Sequence, residues 1–275
     1  MNGAVFFGFG REDQEGMCGT MVHERWNGIL AQLNEKGFVK VSELTRTFGV
    51  SVETIRRDME ALEQRGMLKR VYGGAIRITS KNAEVDYTSR EHINIEEKQA
   101  IGRKAAELIN NGDTIVVDPG TTTIEVVKAL RDKKDLTSLT NSIPISLELL
   151  KNNSGPVFLL GGQLRDGYYS TSGFLTTGQL QQFSADKAIV GAGGISVRTG
   201  LTDYHVEEAG ARKEMIRIAD KVILVADSSK LGFSTFIHVC PLDDIDVLVT
   251  DWRATPEMLE PFRDTRMKII IAEQS

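Results

Sequence analysis

The stretch Val41–Ile76, VSELTRTFGVSVETIRRDMEALEQRGMLKRVYGGAI, decides the fold of the first third of the chain. Val41, Leu44 and Phe48 recur at three- and four-residue steps, which places them on one side of a short helix. Gly49 follows, and glycine takes the positive φ that a sharp helix stop requires. Ser51 precedes a second apolar pattern, Ile55, Met59 and Leu62, and its hydroxyl can accept from an orphan main-chain N–H. Gly66 ends that pattern. A short helix, a tight turn and a longer helix make a helix-turn-helix. After Gly66, Met67–Val71 reads as a strand, Gly73-Gly74 as a turn and Ala75–Ile78 as a return strand, so a two-stranded wing is expected.

The polar residues of this stretch suit duplex DNA. Ser51, Thr54, Arg56 and Arg57 fall in the first two turns of the second helix, the part of such a motif that enters the major groove. Arginine forks onto guanine or clamps a phosphate. Lys69 and Arg70 on the wing are placed to reach the DNA backbone or minor groove, and Ser42, Gly73 and Gly74 complete the expected contact set.

Charge agrees with that assignment. Residues 21–80 carry ten Lys and Arg against seven Asp and Glu, whereas residues 81–275 carry 22 against 28. The chain is −5 overall, so its one positive region is the expected DNA reader.

Upstream, Trp26, Ile29, Leu30 and Leu33 form an apolar stripe from Glu24 to Lys36, and Gly37 stops that helix. Phe38–Lys40 is expected to pair with the wing as a short strand. Residues 1–20 show no clear period, and Met21 reads like a natural start. We expect either a disordered leader or a misassigned start, and assign 21–78 to the winged helix-turn-helix.

Arg77–Arg90 is polar and weakly periodic, and the linker is drawn over 79–94. Residues 95–275 then alternate strand and helix. A helix is expected from Ile95 to Asn110. Apolar strand runs are Thr114–Asp118, Leu136–Thr140, Val157–Leu160, Lys187–Val190, Val222–Asp227, Val247–Thr250 and Lys268–Ile271. Helical patterns fall at Thr122–Leu130, Pro144–Leu150, Thr177–Phe183, Val206–Ala219 and Pro256–Phe262. Such alternation predicts an α/β domain with a mainly parallel sheet covered on both faces.

Ligands of open α/β sheets bind beyond the carboxyl ends of the strands. Five such ends carry polar or glycine-rich loops: Asp118-Pro119-Gly120-Thr121-Thr122-Thr123, Thr140-Asn141-Ser142, Gly161-Gly162-Gln163, Gly191-Ala192-Gly193-Gly194 and Asp227-Ser228-Ser229-Lys230. Each alone is more often a plain turn. Together they suit a small phosphorylated polyhydroxy compound: hydroxyls and a helix N-terminus for the phosphate, Lys230 as a point charge, carboxylates for sugar hydroxyls.

TIRRDMEALEQRGMLKRVYGGAI resembles the winged helix of the DeoR family of bacterial sugar-metabolism repressors. DPGTTT, LTNS, LLGGQ, GAGGIS, VEEAGARKEMI and VADSSK, in that order, resemble the sensor domain of the same family. The resemblance covers about nine-tenths of the chain and implies a sensor fold related to ribose-5-phosphate isomerase and the CoA-transferases. It implies a repressor released from an inverted-repeat operator by a phosphorylated sugar or polyol, acting as a homo-dimer or homo-tetramer. By it, Asp118, Gly120, Thr121, Thr122, Thr123, Asn141, Gly162 and Lys230 line the effector site. Pro119 stands where a small hydroxyl residue is commoner in the family, which removes a main-chain donor.

Other classes fit less well. GAGGIS lacks the full G-x-G-x-x-G of a first βαβ unit, so no nicotinamide cofactor is expected, nor any other cofactor or metal. No stretch of 18 apolar residues appears, so no membrane span is expected. Cys18 and Cys240 read as free thiols of a reducing cytoplasm. An isomerase- or transferase-like enzyme with Asp118 and Lys230 as acid and base is the alternative reading. A constitutive DNA-binding protein whose second domain only oligomerises is a third.

Overall fold

The computed structural model describes residues 12–36, 38–65, 67–71, 73–76, 84, 87–152 and 155–274, without the side chains of 12–21, 36, 69, 71, 76 and 89. It divides into two compact units, Met1–Thr79 and Ser80–Ser275.

The first unit begins with α1 (Glu12–Lys36), β1 (Phe38–Lys40), α2 (Val41–Phe48) and α3 (Val52–Gln64). The wing follows as β2 (Lys69–Val71) and β3 (Gly74–Ile76). Gly49 stops α2 at φ 64°, and Ser51 caps α3 by accepting from the Thr54 N–H at 3.1 Å. Ile29, Leu33, Leu44, Ile55, Met59 and Leu62 close one core, as their spacing predicts. β1 pairs antiparallel with β3, the strand partnership expected of Phe38–Lys40. Two details differ. α1 starts at Glu12, so residues 12–20 of the expected leader are helical, while 1–11 lie outside the described residues. Gly74 is a strand residue, not part of the turn: a Cβ there would sit 2.0 Å from the Val39 carbonyl, so β1 and β3 approach this closely only through glycine. Gly66, expected to end α3, and residues 77–78 of the return strand also fall outside the described residues.

In the second unit α4 (Tyr87–His92) lies where only linker was expected, and α5 (Ile95–Ala106) ends before the expected Asn110. Then come β4 (Thr114–Val117), α6 (Thr123–Lys128), β5 (Thr137–Thr140), α7 (Ile143–Asn152) and β6 (Val157–Leu159). A hairpin, β7 (Gln163–Arg165) and β8 (Ser170–Ser172), leads to α8 (Phe174–Leu180) and β9 (Ala185–Val190). β10 (Gly194–Ser196), β11 (Gly200–Asp203), α9 (Val206–Arg217) and β12 (Ala219–Val225) follow. β13 (Ile237–Cys240), β14 (Val247–Asp251), α10 (Pro256–Leu259) and β15 (Lys268–Ala272) complete the chain.

All seven expected strands join one parallel sheet in the order β15-β14-β12-β9-β4-β5-β6. Alternate residues enter opposite cores. Val116, Ala188 and Leu224 pack with α8 and α9, whereas Ile115, Val117, Ile189 and Val225 pack with α5, α6 and α7. The chain runs from β4 outward to β5 and β6, returns to β9 on the other side of β4, and then runs outward again. The reversal between β4 and β9 is the switch point where such sheets open a crevice at their carboxyl ends. The sequence reading misses a three-stranded antiparallel sheet, β10-β11-β13, and the β7–β8 hairpin.

Candidate nucleic-acid interface and sensor site

On the first unit, Ser42, Ser51, Arg56 and Arg57 are exposed, and Thr54 is half-buried. The Ser51 and Thr54 hydroxyls stand 2.8 Å apart at the start of α3. A groove of about 510 Å³ runs between helix and wing, lined by Arg56, Met59 and Glu63 on one side and Arg70, Gly73 and Gly74 on the other. The structure therefore brings together residues that the sequence assigned separately to helix and wing. Lys69 lies in β2, and its side chain is outside the described residues.

Two features were not foreseen. Arg70 is not extended into open space: its main-chain N–H and its guanidinium donate to the two oxygens of Glu63, at 2.8 and 2.6 Å. Asp58, on the same helix as the arginines, turns inward and accepts from Arg25 at 2.5 and 2.9 Å and from the Trp26 indole at 2.9 Å. That cluster pins α3 to α1 and sets the angle at which the recognition helix is presented.

On the second unit, the first-strand loop is centred on a buried ion cluster. Arg212, fully enclosed on α9, donates to Asp118 at 2.7 Å and also pairs with Asp203. Gly191, at the end of β9, donates its N–H to Asp118 at 3.0 Å, which ties the two sides of the switch point together. Burial pushes the Asp118 carboxyl up to about 6, although Arg212 and the Gly191 N–H pull the other way. Burial also raises Asp203, but Arg212 and the N–H groups of His205 and Tyr204 outweigh it and hold that carboxyl below its usual range.

The remaining expected effector residues are differently placed. The Thr123 hydroxyl donates to the carbonyls of Asp118 and Gly120, at 2.7 and 3.0 Å, so it shapes the loop. Thr121 is buried, Gly120 and Thr122 are half-buried, and α6 behind them is only six residues long. The Asn141 amide donates to the Thr171 carbonyl at 2.5 Å, while its buried oxygen has no partner among the described residues. Gly162 is a packing glycine, because a Cβ there would lie 2.1 Å from the Thr176 hydroxyl oxygen.

Lys230 closes a short 3-10 turn and is half-buried. Beside it lies a residue that sequence reasoning missed. Lys98, on α5, is 4% exposed and donates to the Arg90 carbonyl. Burial drives its ammonium down to about 7, opposed by Asp227 and reinforced by Lys230. Asp227 is fully enclosed; burial raises it, but Lys230, Lys98 and the Ser229 contacts prevail and lower it. Asn94, in the left-handed region at φ 53°, also donates to Asp227, at 3.1 Å. A second cluster joins Glu84 to Arg90 and Arg165, at 3.2 and 2.7 Å, and Arg165 to Glu208 at 2.6 Å. The sequence signal for Arg212 and Lys98 was a basic residue on the apolar face of its helix, with Ala209 and Met215 beside one and Ile101 and Ala105 near the other.

A winged helix-turn-helix with an exposed basic recognition helix defines a DNA-binding regulator. The comparisons with known proteins make that class specific. Residues 25–81 match the family model described as DeoR-like helix-turn-helix domain, and residues 93–252 match the DeoR C terminal sensor domain. An HTH-type transcriptional regulator of Bacillus subtilis, YulB, is 36% identical over 90% of this chain and 96% of its own. The glycerol-3-phosphate regulon repressor of Escherichia coli is 30% identical over 90% of this chain and 97% of its own. Among solved structures, ribose 5-phosphate isomerase A of Methanocaldococcus jannaschii aligns with 50% of this chain and 54% of that one, at 16% identity and a TM-score of 0.37, too slight a likeness to bear on function.

The chain belongs to the DeoR family. It is a DNA-binding transcriptional regulator of the repressor type and not an enzyme. The alternative of Asp118 and Lys230 as an acid–base pair also loses its geometry, since Asp118 is held by Arg212 and Gly191 inside the protein. No helix among the described residues is long and apolar enough to cross a membrane.

Proposed function

We propose that this regulator represses a sugar or polyol catabolic operon and leaves its operator when a phosphorylated intermediate of that pathway binds the second unit. One observation carries the reading: both family models match, and five polar or glycine-rich loops stand at the carboxyl ends of parallel strands around the β4–β9 switch point. The relative that bears the name of a glycerol-3-phosphate regulon supports a phosphate ester as the effector. Asp118, Gly120, Thr121, Thr122, Thr123, Asn141, Gly162 and Lys230 frame that site. Lys230 meets the phosphate, Asn141 has a free buried oxygen for a hydroxyl, and Asp118, Thr123 and Gly162 hold the loops in place.

On DNA, Ser42, Ser51, Thr54, Arg56 and Arg57 face the major groove and Lys69, Arg70, Gly73 and Gly74 the flanking backbone. A homo-dimer or homo-tetramer spans an inverted repeat, and the protein works in the cytoplasm. Release needs only a modest linkage: a tenfold loss of operator affinity takes about 1.4 kcal/mol of preferential effector binding to the released conformation.

The test is a thermal-shift screen of the full chain against phosphorylated sugars and polyols, followed by operator gel shifts with each stabilising compound. A hit should release the wild type, and Lys230→Ala should need at least tenfold more effector while binding operator normally. An unaltered dose–response in Lys230→Ala removes that residue from the site. Absence of any stabilising phosphate ester sinks the sensor reading and favours the constitutive binder.

A further inference from the structure

The two edges of the seven-stranded sheet are unlike. At one, β15 starts with exposed Lys268 and follows the exposed charges Arg263, Asp264 and Arg266. Charge at an edge strand discourages pairing with another chain. At the other, β6 carries Phe158 and Leu159, both about half exposed. Among the described residues β6 pairs with β5 alone. The Ser138 N–H donates to the Pro156 carbonyl and the Leu160 N–H to the Thr140 carbonyl, so the even-numbered main-chain groups face β5. Those of Val157 and Leu159 therefore point away from the sheet, to a side where the described residues supply no partner strand.

Both covering layers extend this apolar edge. The Phe158 ring meets Phe183, which packs in the α8–α9 core, at 5.6 Å. Leu159, the next residue, faces the opposite layer, that of α7. On α7, Leu147 and Leu150 lie three residues apart and are 54% and 64% exposed. Phe174 and Leu175 open α8, at 82% and 54%. Gln179 fixes α8 to the end of β6 through a reciprocal pair of bonds with Gly161, each 3.1 Å. At roughly 200 Å² for a fully exposed aromatic side chain, Phe158 and Phe174 alone present roughly 250 Å² of apolar surface, and the four leucines add to it on both layers. With the leucines the exposed apolar area is of the order of the largest patch of a typical monomer, roughly 300–600 Å², which is often functional. Pairing of the β6 main chains adds to it, toward the roughly 800 Å² that each partner contributes to a stable complex.

We propose that this edge docks a second copy of the chain, β6 against β6, antiparallel across a two-fold axis. Identical strands satisfy each other's outward main-chain groups only in that antiparallel, symmetric arrangement, and the leucines and phenylalanines of α7 and α8 close over the seam from both layers. The proposal rests on the reading that the repressor is a homo-oligomer and adds the surface through which it assembles.

Light scattering of the full chain after size exclusion tests it. The wild type should run as two copies or more. Leu150→Glu with Phe174→Glu should halve that mass without changing the circular-dichroism melt, because both side chains are exposed. Ile271→Glu, on the β15 edge, should leave the mass unchanged. Hydrogen exchange at the Leu159 amide should slow as wild-type concentration rises. A single-copy wild type overturns both the surface and the oligomer reading. An assembled wild type overturns the surface and spares that reading if the double variant keeps its mass, if Ile271→Glu halves it, or if Leu159 exchange ignores concentration.

Discussion

The residues proposed to face DNA on the first unit and the charged residues around the proposed effector loops of the second stand in opposite settings. Ser51, Arg56 and Arg57 are exposed, and Arg57 pairs with Glu53 at 3.7 Å, a loose pair with both partners mostly exposed. Asp118, Asp203, Arg212, Asp227 and Lys98 are enclosed and engaged with one another before any ligand arrives. The contrast suits the partner proposed for each surface. Phosphate oxygens on a duplex are reached by flexible cations in water. A small molecule is held by loops whose shape must already be fixed, and buried ion networks fix it at a large desolvation cost.

The largest expected effect separates the two settings directly. Arg212→Leu leaves two buried carboxylates without their cation and should cost about 3–5 kcal/mol, which lowers the melting midpoint by about 10 °C. Arg57→Ala should change stability by less than about 0.5 kcal/mol. Its operator affinity should fall by about 1–3 kcal/mol, and the salt dependence should weaken. Urea titrations and gel shifts on the same two variants check this. The contrast is broken if Arg57→Ala melts early or if Arg212→Leu melts like the wild type.

How far the sequence disclosed these settings depends on range. All seven parallel strands were legible because strands buried on both faces read as continuous apolar runs such as TIVV and KVILV. The hairpin strands Gln163–Arg165 and Ser170–Ser172 were not, because three residues, Gln-Leu-Arg in one and Ser-Thr-Ser in the other, carry no period, and the burial of Ser170–Ser172 comes from neighbours distant in the chain. α8 was placed three residues late. Its start is set by Gly173 at φ 88°, which pattern alone does not reveal. The exposed polar face of α3, proposed to meet DNA, was legible because one helix carries it. The Arg212 cluster was not: Arg212 shares the apolar face of VEEAGARKEMIR with Ala209 and Met215, but its partner Asp118 lies 94 residues earlier and no local pattern names it. Thr123 and Gly162 shape and pack their loops, in keeping with the plain-turn reading that each loop carried alone.

A smaller effect tests whether Lys98 belongs to the enclosed setting. Its folded value of about 7 lies below its ordinary 10.5, so between those limits the unfolded chain holds a proton that the folded chain has released. Stability contributed by this group therefore rises as pH climbs from about 7 toward 10.5, and below about 7 the burial of a charged ammonium weighs fully against folding. Lys98→Met removes the titration. The wild-type melting midpoint minus that of the variant should rise steadily between about pH 7 and 9; a flat difference would place Lys98 in contact with water. Taking the difference cancels Tyr87 and Cys240, whose values burial raises to about 12 and which act alike in both proteins.

The smallest expected effect concerns a wing residue that crosses the divide. Arg70 is partly exposed, yet both oxygens of Glu63 hold it. Its guanidinium must therefore choose between a carboxylate on its own domain and a phosphate on DNA, and in water neither dominates. Glu63→Gln keeps an acceptor for the Arg70 main-chain N–H and removes the competing charge. Operator affinity at low salt should rise a few-fold, and nonspecific affinity should rise by a similar factor, since a phosphate contact carries no sequence information. The gain should vanish in an Arg70→Ala background. If Glu63→Gln raises affinity equally there, the benefit comes from lost repulsion between Glu63 and DNA and not from a freed arginine. If affinity falls, the Glu63–Arg70 pair is what holds the wing in its DNA-ready position.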